Sequence, residues 1–419
     1  MPFWNYGARQ RSLSALALLG ASLMAMSGLA PVAVAEDIRS RQWYLEDMQA
    51  EQMWKVSKGK GVTVAVIDSG VNASLPELHG QLLKGTDASR KGTNPHQDPD
   101  GHGSNMAGII AGTGAGGGIQ GLAPEAKILP IKGKLFDQPA ESAGSVMAKA
   151  IRYAVDHGAR VLNISLGVPG ERAYFTKTQA AVNYALKKGS LVFASVGNDR
   201  DTNNLPSYPA SLSGVVGVGA IDRHGKATEF STTGDSVGLV AMGEEIPEHC
   251  LESEGVCKGR GTSQATAVAS ASAALIWAKH PNWTNNQVLR VMMQTAAKPV
   301  SGDIPSDYIG YGSVRPRKVL LDGEGDPGSA TTNPLLAREG ATKPNPSSSA
   351  SNSPDAGSQP ESSGSDSGKK QAQKPDKETK ASNGDDGGNT TLWIALGAGA
   401  AVVVGGAVAF AVMRRRSAL

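Results

Sequence analysis

The sequence predicts an α/β fold, a doubly wound and mostly parallel sheet with helices on both faces, followed by a disordered stalk and one transmembrane helix. Three observations predict it. Short β-branched runs bounded by glycine alternate with helical patterns through the first three quarters of the chain. Beyond residue 321 the large apolar residues almost vanish. Near the end, residues 391–413 run for 23 positions without a charge.

The first 35 residues read as an export signal. Arg9 and Arg11 precede an uncharged apolar stretch over 13–30, and Ala33-Val34-Ala35 offers a small-x-small cleavage site before Glu36. A permanent anchor is the rival reading, and the cleavage site favours removal. Residues 36–321 then read as one globular domain, of which 36–61 form an amino-terminal extension. Hydrophobic residues make up 40% of the chain but aromatics only 5%, so its core is built mainly from Ala, Val, Leu and Ile. Strands are expected over 62–67, 126–131, 161–164, 191–196 and 215–220, each an apolar run of the kind that parallel sheets bury on both faces. Helices are expected over 145–157 and 175–188, each stopped by the following glycine, and over 262–279 and 285–297.

Residues 322–389 are rich in Ser, Gly, Pro, Asp and Lys and cannot bury enough surface to offset their chain entropy. As a flexible coil these residues would span roughly 40–50 Å, a stalk. The segment 390–413 is long enough to cross a bilayer as a helix. The tail 414–419 begins with Arg414-Arg415-Arg416, which the positive-inside rule assigns to the cytoplasm. The expected localisation is therefore the cell membrane, single-pass type I, with the globular domain outside. With 41 basic and 38 acidic residues, the near balance of charge gives no reason to expect a nucleic-acid partner. The two cysteines, Cys250 and Cys257, lie on the oxidising side in this topology. They are close enough to close a short disulfide loop, and too few for a metal centre.

Three segments carry candidate chemistry, in the order Asp, His, Ser. Val66-Ile67-Asp68-Ser69-Gly70 places Asp68 at the carboxyl end of a buried strand, where open α/β sheets bind their ligands. Asp100-Gly101-His102-Gly103-Ser104 sets His102 between glycines that let backbone approach closely. Gly259-Arg260-Gly261-Thr262-Ser263 puts Ser263 at the start of an Ala-rich helix, whose free N–H groups favour negative charge nearby. The chemistry of such a triad assigns attack to Ser263, proton transfer to His102, and tautomer control to Asp68. A fourth segment, Ser195-Val196-Gly197-Asn198, ends a strand with a side-chain amide, and Asn198 is a candidate donor to a tetrahedral oxyanion. Asp98, Asp100, Asp199 and Asp201 have the residue type of Ca²⁺ ligands, but loop carboxylates are usually just solvated; neither metal nor cofactor is expected.

VAVIDSGV, DGHGS, SLVFASVGN and GTSQATA together resemble the aspartate, histidine, oxyanion-asparagine and serine blocks of the subtilase family of serine proteases. GLAP at 121–124 and NISLG at 163–167 fit the same resemblance, which covers about two thirds of the chain. It implies a subtilisin-like fold and hydrolysis of peptide bonds in protein or peptide substrates. It also implies that Ser165, Leu166 and Gly167 pair with substrate backbone by strand addition. Ser104 stands where the family usually has Thr, Gln264 where Met is common, and Ala267 where many members have Pro. Within the family the layout is most similar to the mycosins of actinobacterial type VII secretion systems, which share a signal peptide, a stalk and a carboxyl-terminal helix with a basic cap. The segment between Ala35 and Asp68 has only 32 residues, too few for a large folding propeptide. The mycosin likeness implies work beside secretion machinery. The alternatives are a mainly structural component of a secretion complex with dispensable protease activity, and a general cell-surface protease.

Overall fold

Strand β1 (Thr63–Asp68) shows how the domain is organised, because its side chains alternate between two separate apolar cores. Val64 and Val66 enter one core; Ala65 and Ile67 enter the other. The computed structural model describes residues 37–337, apart from 90–92, 134, 136–138 and 252–254. The segments expected to be the signal peptide, the stalk beyond Ala337, the membrane helix and the basic tail lie outside the described residues.

Seven parallel strands form the main sheet. In chain order they are β1, β2 (Thr86–Asp87), β3 (Lys127–Lys132), β4 (Val161–Ile164), β6 (Leu191–Ser195), β8 (Val216–Ile221) and β9 (Val237–Met242). Their spatial order is β2-β3-β1-β4-β6-β8-β9. Two short strands outside it, β5 (Val168–Pro169) and β7 (Ser207–Tyr208), pair antiparallel. Every expected strand is present, with shifts of one residue at most ends; the two edge strands, β2 and β9, were not expected.

One face of the sheet is covered by helices α5 (Ala140–Asp156) and α6 (Thr176–Lys187), whose Ala, Val and Ile positions fill the second core. The other face carries α4 (His102–Ala111), α7 (Thr262–Lys279) and α8 (Asn285–Thr295). Helix α7 is buried on all sides from Thr262 to Trp277. Its Ala, Ser and Thr side chains are small enough to lie against several strands at once, which explains the low aromatic content. Three short helices precede the sheet: α1 (Ile38–Arg41), α2 (Trp43–Asp47) and α3 (Ala50–Trp54). Tyr44, Leu45 and Met53 are fully buried here, each worth about 1.5–3 kcal/mol, so the amino-terminal extension is part of the domain core.

The boundary expected after residue 321 falls too early. Past helix α9 (Pro316–Leu320), residues 322–337 lie along α8. Gln294 Oε1 accepts from the Asp326 amide at 2.8 Å, Arg290 donates to the Thr332 carbonyl at 2.9 Å, and Asn286 Nδ2 donates to the Ala330 carbonyl at 2.9 Å. Polar side chains of α8 satisfy this backbone, so it is held with only one buried apolar residue, Leu335. The composition signal that marks a stalk does not register that kind of support.

Candidate active site

The carboxyl ends of the parallel strands bring the chemistry together. Asp68 is the last residue of β1, Ser165–Gly167 follow β4, and Asn198 lies three residues beyond β6. All of them line one cleft of about 670 Å³, together with His102 and Ser263.

Asp68 is fully buried, and its Oδ1 accepts a hydrogen bond from His102 Nδ1 at 2.7 Å. The same oxygen accepts from the Ser69 amide at 2.7 Å. A carboxylate only accepts, so Nδ1 carries the hydrogen and Nε2 is left with its lone pair for a proton. Burial alone would lower the His102 pKa. The charge of Asp68, its hydrogen bond, and the carboxylates of Glu248 and Asp98 oppose that and push it up to about 9.

The approach of α4 to β1 depends on Gly103. A Cβ at this position would lie 2.1 Å from the Gly70 carbonyl oxygen and 3.0 Å from the Asp68 Cβ. Asp98 fastens the amino end of the same helix. Its Oδ2 accepts from the Ser104 amide at 2.8 Å and the Ser104 hydroxyl at 2.6 Å, and its Oδ1 accepts from Gly101 N–H and Ser69 Oγ. The Ser104 hydroxyl, standing where Thr is common, is thus fully used.

Ser263 sits in the first turn of α7, and its hydroxyl donates to the Ser165 carbonyl oxygen at 3.2 Å. Among the described residues no hydrogen bond joins Ser263 Oγ to His102; such bonds are often loose in free enzymes and tighten in the substrate complex. A buried chain of bonds fixes the Ser263 turn to β4. Ser270 Oγ donates to Asn163 Oδ1, Asn163 Nδ2 to Ser165 Oγ, and Ser165 Oγ to the Ser263 carbonyl, at 3.0–3.1 Å each.

Asn198 is oriented from α7. Its Oδ1 accepts from the Thr262 amide at 2.9 Å and the Thr262 hydroxyl at 3.0 Å. Because a backbone N–H can only donate, the amide's oxygen faces Thr262, and Nδ2 is left to donate elsewhere in the cleft. Sequence reasoning identified Asn198 but missed Thr262, Ser69 and the capping role of Asp98. The position of Asp98 just upstream of a helix start was the available signal for the last of these. Cys250 and Cys257 are joined by a disulfide, as expected.

The profile of the peptidase S8 or subtilase family matches residues 59–312, a span that contains all four of these segments. The chain belongs to the subtilase family. It is a serine endopeptidase. Thermitase of Thermoactinomyces vulgaris is 34% identical to this subtilase over 264 residues, which is 63% of this chain and 90% of that protein. A thermophilic serine proteinase of Bacillus sp. (strain AK1) is 35% identical over 275 residues, 65% of each protein. Among solved structures, MycP1 from Mycobacterium smegmatis matches the subtilase with a TM-score of 0.61 at 27% identity, covering 72% of this chain and 89% of that one. The MycP3 protease from the type VII (ESX-3) secretion system gives 0.58 at 31% identity, covering 66% and 87%. Among the described residues no helix is long and apolar enough to cross a membrane.

Proposed function

We propose that this subtilase is a membrane-anchored, extracytoplasmic endopeptidase of the mycosin kind, working beside type VII secretion machinery. Ser263 attacks the scissile carbonyl, and His102 takes its proton and later delivers it to the leaving amine. Asp68 holds the imidazole tautomer and offsets the cation. The developing oxyanion receives Asn198 Nδ2 and the Ser263 backbone N–H at the positive end of α7. Substrate backbone pairs with the edge at Ser165, Leu166 and Gly167.

The observation that carries the chemical part is the 2.7 Å Asp68–His102 contact in the cleft that Ser263 also lines. The secretion part is supported by likeness to solved structures of MycP1 and MycP3, one described as an essential component of the type VII (ESX-1) secretion system. The anchor is supported by the uncharged run at 391–413 and its three following arginines.

One experiment tests both parts. A fluorophosphonate applied to intact cells should label the full-length protein at Ser263 and nowhere else, with the label recovered in the membrane fraction. Label on another residue removes the triad assignment, and label in the soluble fraction removes the anchor. Secretion retained with Ser263→Ala would favour the reading as a mainly structural component.

A further inference from the structure

Glu248 is a buried carboxyl group that no step above uses. It lies on β10 (Ile246–His249), only 5% exposed. This strand pairs antiparallel with β11 (Val256–Gly259), with Glu248 opposite Cys257. Both oxygens of Glu248 accept from Gln264 Nε2, at 3.3 and 3.1 Å. Gln264 follows Ser263 in the first turn of α7 and is itself 4% exposed. The chain makes room for the carboxyl group across the hairpin: a Cβ at Gly259 would lie 2.2 Å from Glu248 Oε1.

The hairpin is hydrogen-bonded to the histidine helix as well as to the serine helix. Asn105, on α4, exchanges two hydrogen bonds with the His249 backbone: Nδ2 to the carbonyl at 2.9 Å, and Oδ1 from the amide at 3.2 Å. His249 Nε2 lies 2.5 Å from Oε1 of buried Glu77, and the Cys250–Cys257 disulfide cross-links the hairpin at its loop end. Glu248 therefore stands at a junction between the elements that carry His102 and Ser263. The titratable groups around it are His102 from α4, His249 from its own strand and the buried Tyr44 phenol from α2. His102 in turn faces Asp68 and Asp98 besides Glu248. Burial raises the Glu248 pKa, while the Gln264 hydrogen bond and the two histidines draw it back down.

We propose that Glu248 is a positioning residue for hydrolysis, holding the Ser263 turn through Gln264 at the junction of the helices that carry His102 and Ser263. The proposal rests on the assignment of His102 and Ser263 above. The sign of its effect follows from charge. Removing a negative group near His102 lowers the imidazole's affinity for a proton, so the base is free at lower pH.

The test is the pH dependence of kcat and kcat/KM on a peptide substrate for the wild type, Glu248→Gln and Gln264→Met, with Ser263→Ala as control. Glu248→Gln should lower kcat about tenfold, within the ~10²-fold that a misplaced catalytic group costs. KM should stay within about twofold, as for an interaction made mainly in the transition state. The acid limb of kcat/KM should move down by roughly 0.5–1 pH unit, less than the 1–3 units of an opposite charge in direct contact. Gln264→Met withdraws the donor that favours ionised Glu248 and should move the limb the same way. It carries the test if Glu248→Gln fails to fold. An acid limb unshifted from the wild type in the folded variant overturns the proposal, whatever happens to kcat. Activity surviving Ser263→Ala would instead overturn the triad, so the two failures are separable.

Discussion

Asp68 Oδ1 and His102 Nδ1 lie 2.7 Å apart, with the carboxylate fully buried and the imidazole side chain 28% exposed. The pair is charge-assisted and shielded from solvent on the carboxylate side, where it is strongest. Its consequences are for pH as much as for geometry.

The His102 pKa is pushed up to about 9, and general-base catalysis needs the neutral ring. The acid limb of kcat/KM should therefore lie well above the ordinary histidine value, with activity climbing through the alkaline range. Stability runs the other way. A group whose pKa is raised by folding contributes fully below its unfolded value, about 6.5, and its contribution fades as pH rises through the folded value. Urea unfolding at pH 6 and pH 9.5 should show this contribution weakened at the higher pH in the wild type, and little such change in His102→Ala. An acid limb at or below pH 6.5 would contradict the raised pKa.

Thr262 locks the Asn198 amide by two hydrogen bonds to Oδ1, so the donor Nδ2 is oriented before substrate arrives. Asn198→Ala should lower kcat by about 10²–10³, or about 2.7–4 kcal/mol, with KM nearly unchanged. Thr262→Val keeps the backbone bond and removes only the hydroxyl. It should cost less, roughly fivefold, or about 1 kcal/mol for a neutral hydrogen bond. Steady-state kinetics on one peptide substrate measure both. A larger loss for Thr262→Val than for Asn198→Ala would show that Asn198 is not the principal donor.

How much of this was legible in the sequence depends on how far apart the partners are. Asp68, His102, Asn198 and Ser263 each sit at a strand end or helix start that glycine and β-branched runs mark locally, and all four line the one cleft. Helix α5 begins five residues earlier than expected, because the Ala140–Gly144 stretch lacks the apolar spacing that reveals a helix. Strand β9 is hidden by Gly238 and by the glycine-punctuated residues around it. The packing of residues 322–337 on α8 runs through side-chain to backbone bonds across 32 to 46 positions, for which composition has no signature. Glu248 carries no local mark at all. Its meaning depends on Gln264, sixteen positions away, and on a hairpin bonded to residues 144 and 172 positions earlier.

The Cys250–Cys257 disulfide closes the hairpin that carries Glu248 and His249, and the chain passes from it through Gly259-Arg260-Gly261 to Ser263. A short covalent loop removes little chain entropy, so Cys250→Ser with Cys257→Ser should lower stability by about 2–3 kcal/mol or less. Its kinetic effect should be larger than that figure suggests. Without the cross-link at the loop end, the Asn105–His249 and Glu248–Gln264 bonds rest on a less constrained strand, and the His102 and Ser263 helices lose part of their common brace. The expected result is a lower kcat with KM little changed, since a small misplacement of catalytic groups is felt mainly in the transition state. Single-turnover kinetics alongside urea melts of the double variant separate the two effects. A variant that loses stability but keeps the wild-type kcat would show that the remaining hydrogen bonds hold the hairpin unaided.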